Sequence, residues 1–275
     1  MTAIDTGTNE LLCEVADGVG TVTLNKPEKR NALGDVLTPA LRVVLLTLEE
    51  DERCGAVVVT GAGRAFCAGG DVSGMGGGRR GADAPLRSHQ EAVDELVQRQ
   101  ETLTLRLHEL AKPTIAALPG PAAGAGLSIA LACDMRIMAD SAFVTTAFAN
   151  IGLSGDYGGS WLLTRLVGPA LAKELYMTAR RIPAEECLAL GIANCVVPFD
   201  ELQETANELA RRIANGPREA IRYMKENVNF ALGADLKASL AQEADRMVRC
   251  SGTDDHREAV RAFMEKRPPR FNHPA

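Results

Sequence analysis

"VVVTGAGRAFCAGGD", residues 57–71, decides how this chain is read. The β-branched run Val57-Val58-Val59 predicts a buried strand that runs straight into glycine and other small residues. Such residues let backbone N–H groups approach a ligand closely. Two ligand types need that: a nucleotide phosphate, or an oxygen that gains negative charge during a reaction. A second stretch, "PTIAALPGPAAGAGLSIALACD" (113–134), repeats the order of strand, small residues and helix. Its Gly124-Ala125-Gly126 opens the helix, where free N–H groups and a partial positive charge are found. If Ala68-Gly69-Gly70 and Gly124-Ala125-Gly126 face one cleft, one N–H from each can bracket a single oxygen and stabilise an enolate or tetrahedral oxyanion. The same small residues equally suit tight strand–helix packing.

The phosphate readings fail on detail. Gly61-Ala62-Gly63 imitates the start of a dinucleotide fingerprint, but Phe66 occupies the third glycine position and no helix opens after it. No Gly-Lys-Ser/Thr is present for a P-loop. "GLSGD" (152–156) is not the G-x-S-x-G of a nucleophile elbow, and His256 and His273 lie in the helical tail, which argues against a Ser-His-Asp hydrolase.

Outward from these segments, strands and helices alternate. "LLCEVADGVGTVTLNKP" (11–27) alternates around Asp17-Gly18 and predicts a β-hairpin. Asp35 is expected to cap a helix carrying Val36, Leu37, Leu41, Val44, Leu45 and Leu48. Val93 to Leu110 predicts a long amphipathic helix ending before Pro113. "MRIMA" (135–139) and "CVVPF" (195–199) predict strands, and helices are expected over "GGSWLLTRLVG" and "PALAKELYMT" (158–178). Past Phe199 only helical patterns remain: one through Leu202, Leu209 and Ile213, one opened by Pro217, then 236–249 and 254–266. The expected organisation is an α/β core over 1–199 and a helical region over 200–275. The Gly/Arg-rich stretch 73–85 reads as a loop.

Composition narrows the function. The chain has 275 residues, is 46 % hydrophobic and carries a net charge of −6, without a basic face for nucleic acid. No apolar run approaches ~18 residues, and no signal peptide is visible, so neither membrane insertion nor secretion is expected. Seven cysteines, at 13, 54, 67, 133, 187, 195 and 250, show no metal-ligand spacing; they fit reduced thiols in the cytoplasm, and no metal is expected.

"TVTLNKPEKRNALG" (21–34), "AFCAGGD" (65–71), "GPAAGAGLSIALACDMRI" (120–137), "IGLSGDYGGSWLLTRLVG" (151–168) and "ANCVVP" (193–198) together resemble the crotonase superfamily, the enoyl-CoA hydratases and isomerases, across essentially the whole chain. The resemblance implies a spiral of ββα units, a C-terminal helical region that builds a homotrimer or a dimer of trimers, and an acyl-CoA substrate with no further cofactor. It makes Ala68 and Ala125 the two oxyanion donors by their N–H groups. It places CoA contacts at Lys29, Arg30 and Ala32 and at Ala68, Gly69, Gly70 and Asp71, although Asp71 also suits a turn or cap.

The chain departs from the hydratase pattern. The two hydratase glutamates would fall at 128 and at 147 or 148, where this chain has Ser128, Ala147 and Phe148. One acid stands nearby, Asp156, either as an N-cap or as the single base found in the isomerase-like subgroup. One base suffices for a 1,3 proton shift, and a dry pocket should raise its pKa. Each lost oxyanion donor costs roughly 10²–10³ in rate. Phe143, Phe148, Tyr157 and Trp161 are candidates to wall the acyl pocket, or are core; Ser128 touches substrate or packs a helix; Arg79 and Arg80 meet CoA phosphates or water. The expected function is double-bond migration in an enoyl-CoA. The alternatives are an enoyl-CoA hydratase, a dehalogenase-like enzyme with a covalent aspartyl adduct, and a non-catalytic acyl-CoA-binding protein.

Overall fold

The computed structural model describes residues 1–71 and 88–271. Among these described residues ten strands form two sheets: β1 Thr2–Ile4, β2 Leu11–Ala16, β3 Val19–Leu24, β4 Ala56–Gly61, β5 Thr114–Leu118, β6 Ala122–Ala123, β7 Met135–Ala139, β8 Phe143–Thr145, β9 Ile182–Pro183 and β10 Cys195–Val197. The large sheet runs β1-β2-β3-β4-β5-β7-β10 and the small one β6-β8-β9. The expected hairpin joins β2 to β3 with antiparallel pairing. Asp17 and Gly18, at φ 52° and 80°, make the two left-handed steps that a two-residue turn of matching twist needs. From β3 onward the large sheet is parallel. Its β4 and β5 are buried at every position, as strands covered on both faces must be.

The chain climbs in turns. β5, β6 and helix α4 (Ala125–Ala132) form one unit; β7, β8 and helix α5 (Gly159–Thr178) form the next. Each unit gives one strand to each sheet and one helix. An isolated bridge between Cys67 and Ala122 extends the small sheet back to the segment after β4. The expected pair of helices in α5 is visible as a break at Gly168 (φ 77°, ψ 164°), followed by Pro169.

Helix α1 (Leu37–Glu50) begins two residues after Asp35, and no side chain caps it, contrary to the expected Asp35 cap. Its buried stripe is Leu37, Leu41, Val44, Leu45 and Leu48. Helix α2 (His89–Gln100) starts on a capping box of Ser88 and Glu91, passes through a π-helical segment (Glu101–Leu105) and ends as α3 (Arg106–Glu109). The long helix expected there is therefore continuous but underwound by one π segment. A short α6 (Ala184–Ala189) precedes β10.

After β10 the described residues are helical: α7 (Leu202–Ala214), α8 (Arg218–Ala231), α9 (Leu236–Ser251) and α10 (Asp254–Met264). Helix α7 packs onto the core through Leu202, Ala206, Ala210 and Ala214. The last helices keep large apolar side chains in solvent, including Met224, Val228, Leu236, Met247, Val248 and Phe263. No described helix is long and apolar enough to cross a membrane.

Candidate active site

The two small-residue segments of the sequence meet. The N–H groups of Phe66 and Cys67 donate to the Pro121 carbonyl at 3.1 and 3.2 Å, and the Ala123 N–H donates to the Cys67 carbonyl at 2.9 Å. Gly126 crosses so close that a Cβ there would lie 2.4 Å from the Cys67 oxygen. A side chain at 126 would push α4 off the segment around Cys67. Ala125 is the first residue of α4, and its N–H is among the first-turn amides that have no intrahelical acceptor.

The other expected donor is engaged. The Ala68 N–H donates to the Arg30 carbonyl at 2.9 Å. Arg30 and Asn31 both have left-handed backbones, φ 51° and 56°, which carry their loop against residues 68–71. The same zipper continues: the Leu33 N–H donates to Gly69 at 2.7 Å, and the Asp71 N–H donates to Leu33 at 2.9 Å.

A cavity of about 750 Å³ opens at this junction. Ala68, Gly69, Gly70, Asp71, Gly124 and Ala125 form one side. Ala147, Phe148, Asp156 and Tyr157 form another, and α1 and α2 close it with Thr38, Arg42, Leu96 and Arg99.

Asp156 is half-buried, its Oδ1 is out of solvent, and that oxygen has no hydrogen-bond partner. Burial raises its pKa above the ordinary 3.8. It caps nothing: the residue before α5 is Gly158, and that helix has no side-chain cap. Its backbone is fixed instead. The Asp156 carbonyl accepts from Ser128 Oγ at 3.1 Å and from the Gly159 N–H at 3.3 Å. The next residue, Tyr157, has φ 53° and donates its N–H to Gln100 Oε1 at 2.6 Å.

Ser128, considered as a substrate contact, is 1 % exposed and absent from the cavity wall. Its hydroxyl reaches the backbone of Asp156 rather than the cavity. Phe148 and Tyr157 line the cavity, but Phe143 and Trp161 do not. Phe143 lies in the small sheet under the Arg181 guanidinium, and Trp161 is 41 % exposed, edge-on to His108. Lys29, Arg30 and Ala32 stand beside the cavity rather than in its wall; Lys29 Nζ pairs with Asp71 Oδ2 at 3.1 Å across its rim. Arg79 and Arg80 lie outside the described residues, as does the loop 73–85.

Several site residues carried no readable signal. Asn31, wholly buried, donates Nδ2 to the Ala62 and Ala65 carbonyls and accepts from the Lys26 N–H, which pins the loop beneath Ala68. Gln100 reaches Tyr157 from the start of the π segment, and no sequence period announces such a segment. The Tyr176 ring stacks on Phe148 at 6.1 Å; burial and the neighbouring Asp156 push its hydroxyl up to about 12. A Cβ on Gly159 would fall 2.5 Å from Ser128 Oγ and 2.7 Å from the Tyr176 hydroxyl, so both hydroxyls converge over that glycine. Arg42 sits at the edge of the apolar stripe of α1, where a surface cation would be expected.

The family model for enoyl-CoA hydratase/isomerase matches residues 14–274. The chain belongs to that family, within the crotonase superfamily. Against the 1,2-epoxyphenylacetyl-CoA isomerase of Escherichia coli K12, this family member is 36 % identical over 261 residues, covering 95 % of its own chain and 97 % of the relative. Against the short-chain-enoyl-CoA hydratase of Clostridium acetobutylicum it is 34 % identical over 265 residues, covering 94 % and 96 %. The solved structure of an enoyl-CoA hydratase from Polaromonas sp. JS666 superposes with a TM-score of 0.87 at 34 % identity, over 95 % of this chain and 99 % of that one. The spiral of two sheets with helices at its end is thus the crotonase fold, and the chain is an enzyme of the hydratase/isomerase family. Its relatives include both a hydratase and an isomerase, so the residues in the cavity must distinguish the two.

Proposed function

We propose that this enzyme moves a double bond in an enoyl-CoA, with Asp156 as the single base. The observation that carries the reading is the Asp156 carboxyl, partly desolvated, unpartnered at Oδ1 and set in the cavity wall with the start of α4. The carboxylate takes a proton from the carbon between the thioester and the 3,4 double bond. The C–H electron pair moves towards the thioester oxygen as a dienolate. The same carboxyl returns the proton to C4, and the double bond then lies at C2–C3. Protons and electrons balance without a cofactor.

The Ala125 N–H and the dipole of α4 stabilise the enolate oxygen. The Ala68 N–H joins it by sharing or exchanging its bond to the Arg30 carbonyl. The segment 68–71, with Lys29 and Arg30 beside it, holds the CoA portion. A hydratase reading draws support from the hydratase relatives. Adding water across C=C by the two-glutamate scheme of the hydratase pattern lacks its side chains here, because positions 128, 147 and 148 hold Ser128, Ala147 and Phe148. The exposed apolar side chains of α8 to α10 form the contacts of a homotrimer or a dimer of trimers. The protein works in the cytoplasm, where its seven cysteines, all free, stay reduced.

Incubation with a 3-enoyl-CoA and, separately, a 2-enoyl-CoA tests the assignment by mass spectrometry and chromatography. The expected result is conversion of the 3-enoyl to the 2-enoyl isomer with no change of mass. Gain of one water by the 2-enoyl substrate, with no isomerisation of the other, overturns it.

A further inference from the structure

Among the described residues, three cations line the cavity, and two of them are neutralised. Lys26 Nζ pairs with Glu10 at 3.0 Å, and Arg99 pairs with Glu95 on its own helix. Arg42 differs. It is half-buried, and among the described residues it has no carboxylate partner. One of its Nη groups donates to the Arg99 carbonyl at 3.1 Å, while its Nε is out of solvent with no partner at all. A guanidinium taken from water is costly unless its charge and donors are met. Its planar fork suits the two oxygens of a carboxylate.

Tyr157 points the same way. It lines the cavity, follows Asp156 directly in the chain, and its phenol hydrogen-bonds with the Arg42 side chain, a neutral partner that leaves the charge unbalanced. The path from the base at Asp156 along Tyr157 therefore leads to a cation whose charge no carboxylate among the described residues balances. An acyl chain that carries its own anion at the far end would supply what Arg42 lacks.

We propose that Arg42 selects acyl-CoA thioesters whose acyl chain ends in a carboxylate. This rests on the acyl group occupying the cavity, as in the proposed function. The carboxylate accepts from the Arg42 guanidinium at the cavity wall, and the Tyr157 side chain packs along the chain that leads to it.

The test is calorimetric titration of the full-length protein with saturated ligands, so that no turnover is needed. Butanedioyl- to octanedioyl-CoA are each compared with the uncharged acyl-CoA of equal length and with CoA alone, for wild type, Arg42→Met and Arg42→Lys. The expected result is a preference of about tenfold or more for at least one carboxylate ligand in wild type. Arg42→Met removes that preference and leaves the uncharged ligands within about twofold; Arg42→Lys, which keeps the charge without the fork, retains part of it. No preference at any length overturns the proposal. So does equal weakening of all ligands, CoA included, which would assign Arg42 to the CoA phosphates. A wild type that prefers the carboxylate ligands yet fails to isomerise any enoyl-CoA would sink the function and leave this selection standing.

Discussion

The two ends of helix α4 differ in one respect that matters. Beyond its C-terminal end, Arg136 on β7 is 5 % exposed, and its Nε and one Nη are met by carbonyls: Nε by Ile192 at 2.6 Å, and that Nη by Cys133 at 2.6 Å, with Ala130 and Leu131 at 3.4 and 3.5 Å. Burial pulls its pKa down, and dense hydrogen bonding keeps the cation in place. At the N-terminal end, the Ala125 amide has no intrahelical acceptor, and the carboxyl set with it in the cavity wall, Asp156, has an unpartnered oxygen. One end is saturated and serves the fold. The other is left unsatisfied, which costs stability and leaves polar groups open to a ligand.

Substitutions at each end should separate these roles. Asp156→Asn removes the base with little change of shape, and isomerisation should fall by about 10²–10⁴-fold while saturated acyl-CoA binding stays near wild type. Steady-state kinetics and calorimetry on the same preparation check both halves. Arg136→Met should do the reverse. It orphans carbonyls at the buried end and should cost ~3 kcal/mol of stability, read by urea unfolding. If that variant kept wild-type stability, the saturated end would have no structural role.

Ser128→Ala cuts the bond that holds the Asp156 carbonyl, and Ser128 itself is not part of the cavity wall. A fall in kcat of about 2–10-fold with KM unchanged is expected. A rise in KM alone would return Ser128 to the substrate contacts. The smallest effect concerns pH. Because the folded protein raises the Asp156 pKa, the ionised carboxylate disfavours the folded state, and that penalty is present at neutral pH. Asp156→Asn should therefore raise Tm slightly at pH 7, with the gain vanishing as the pH drops below the ordinary aspartate value of 3.8. In wild type, the acid limb of kcat/KM should lie above that same value.

The contrast also shows what a sequence reveals. Strands such as Val57–Thr60 and the Asp17-Gly18 hairpin were legible because burial and turn chemistry are local, and so was the helix start at Ala125. Asp35 failed as a cap because the chain enters α1 through Val36, and the loop zippered to residues 69–71 sets that path. The small sheet went unread, since strands of two or three residues have no period to detect. Within the site, Asp156 stood out as an acid, but its desolvation comes from side chains remote in sequence. The bond from Ser128 spans 28 residues, and that from Gln100 to Tyr157 spans 57. The Ala68 amide bonded to Arg30 was invisible because it depends on two successive left-handed residues with side chains.

The most direct test of Asp156 as the single base uses a 3-enoyl-CoA deuterated at C2, turned over in ordinary water, with the label located in the 2-enoyl product by NMR. Wild type should deliver part of the deuterium to C4, because one carboxyl takes it and returns it, and Asp156→Asn should deliver none. Double-bond migration at the wild-type rate by Asp156→Asn, with or without label at C4, would contradict the account.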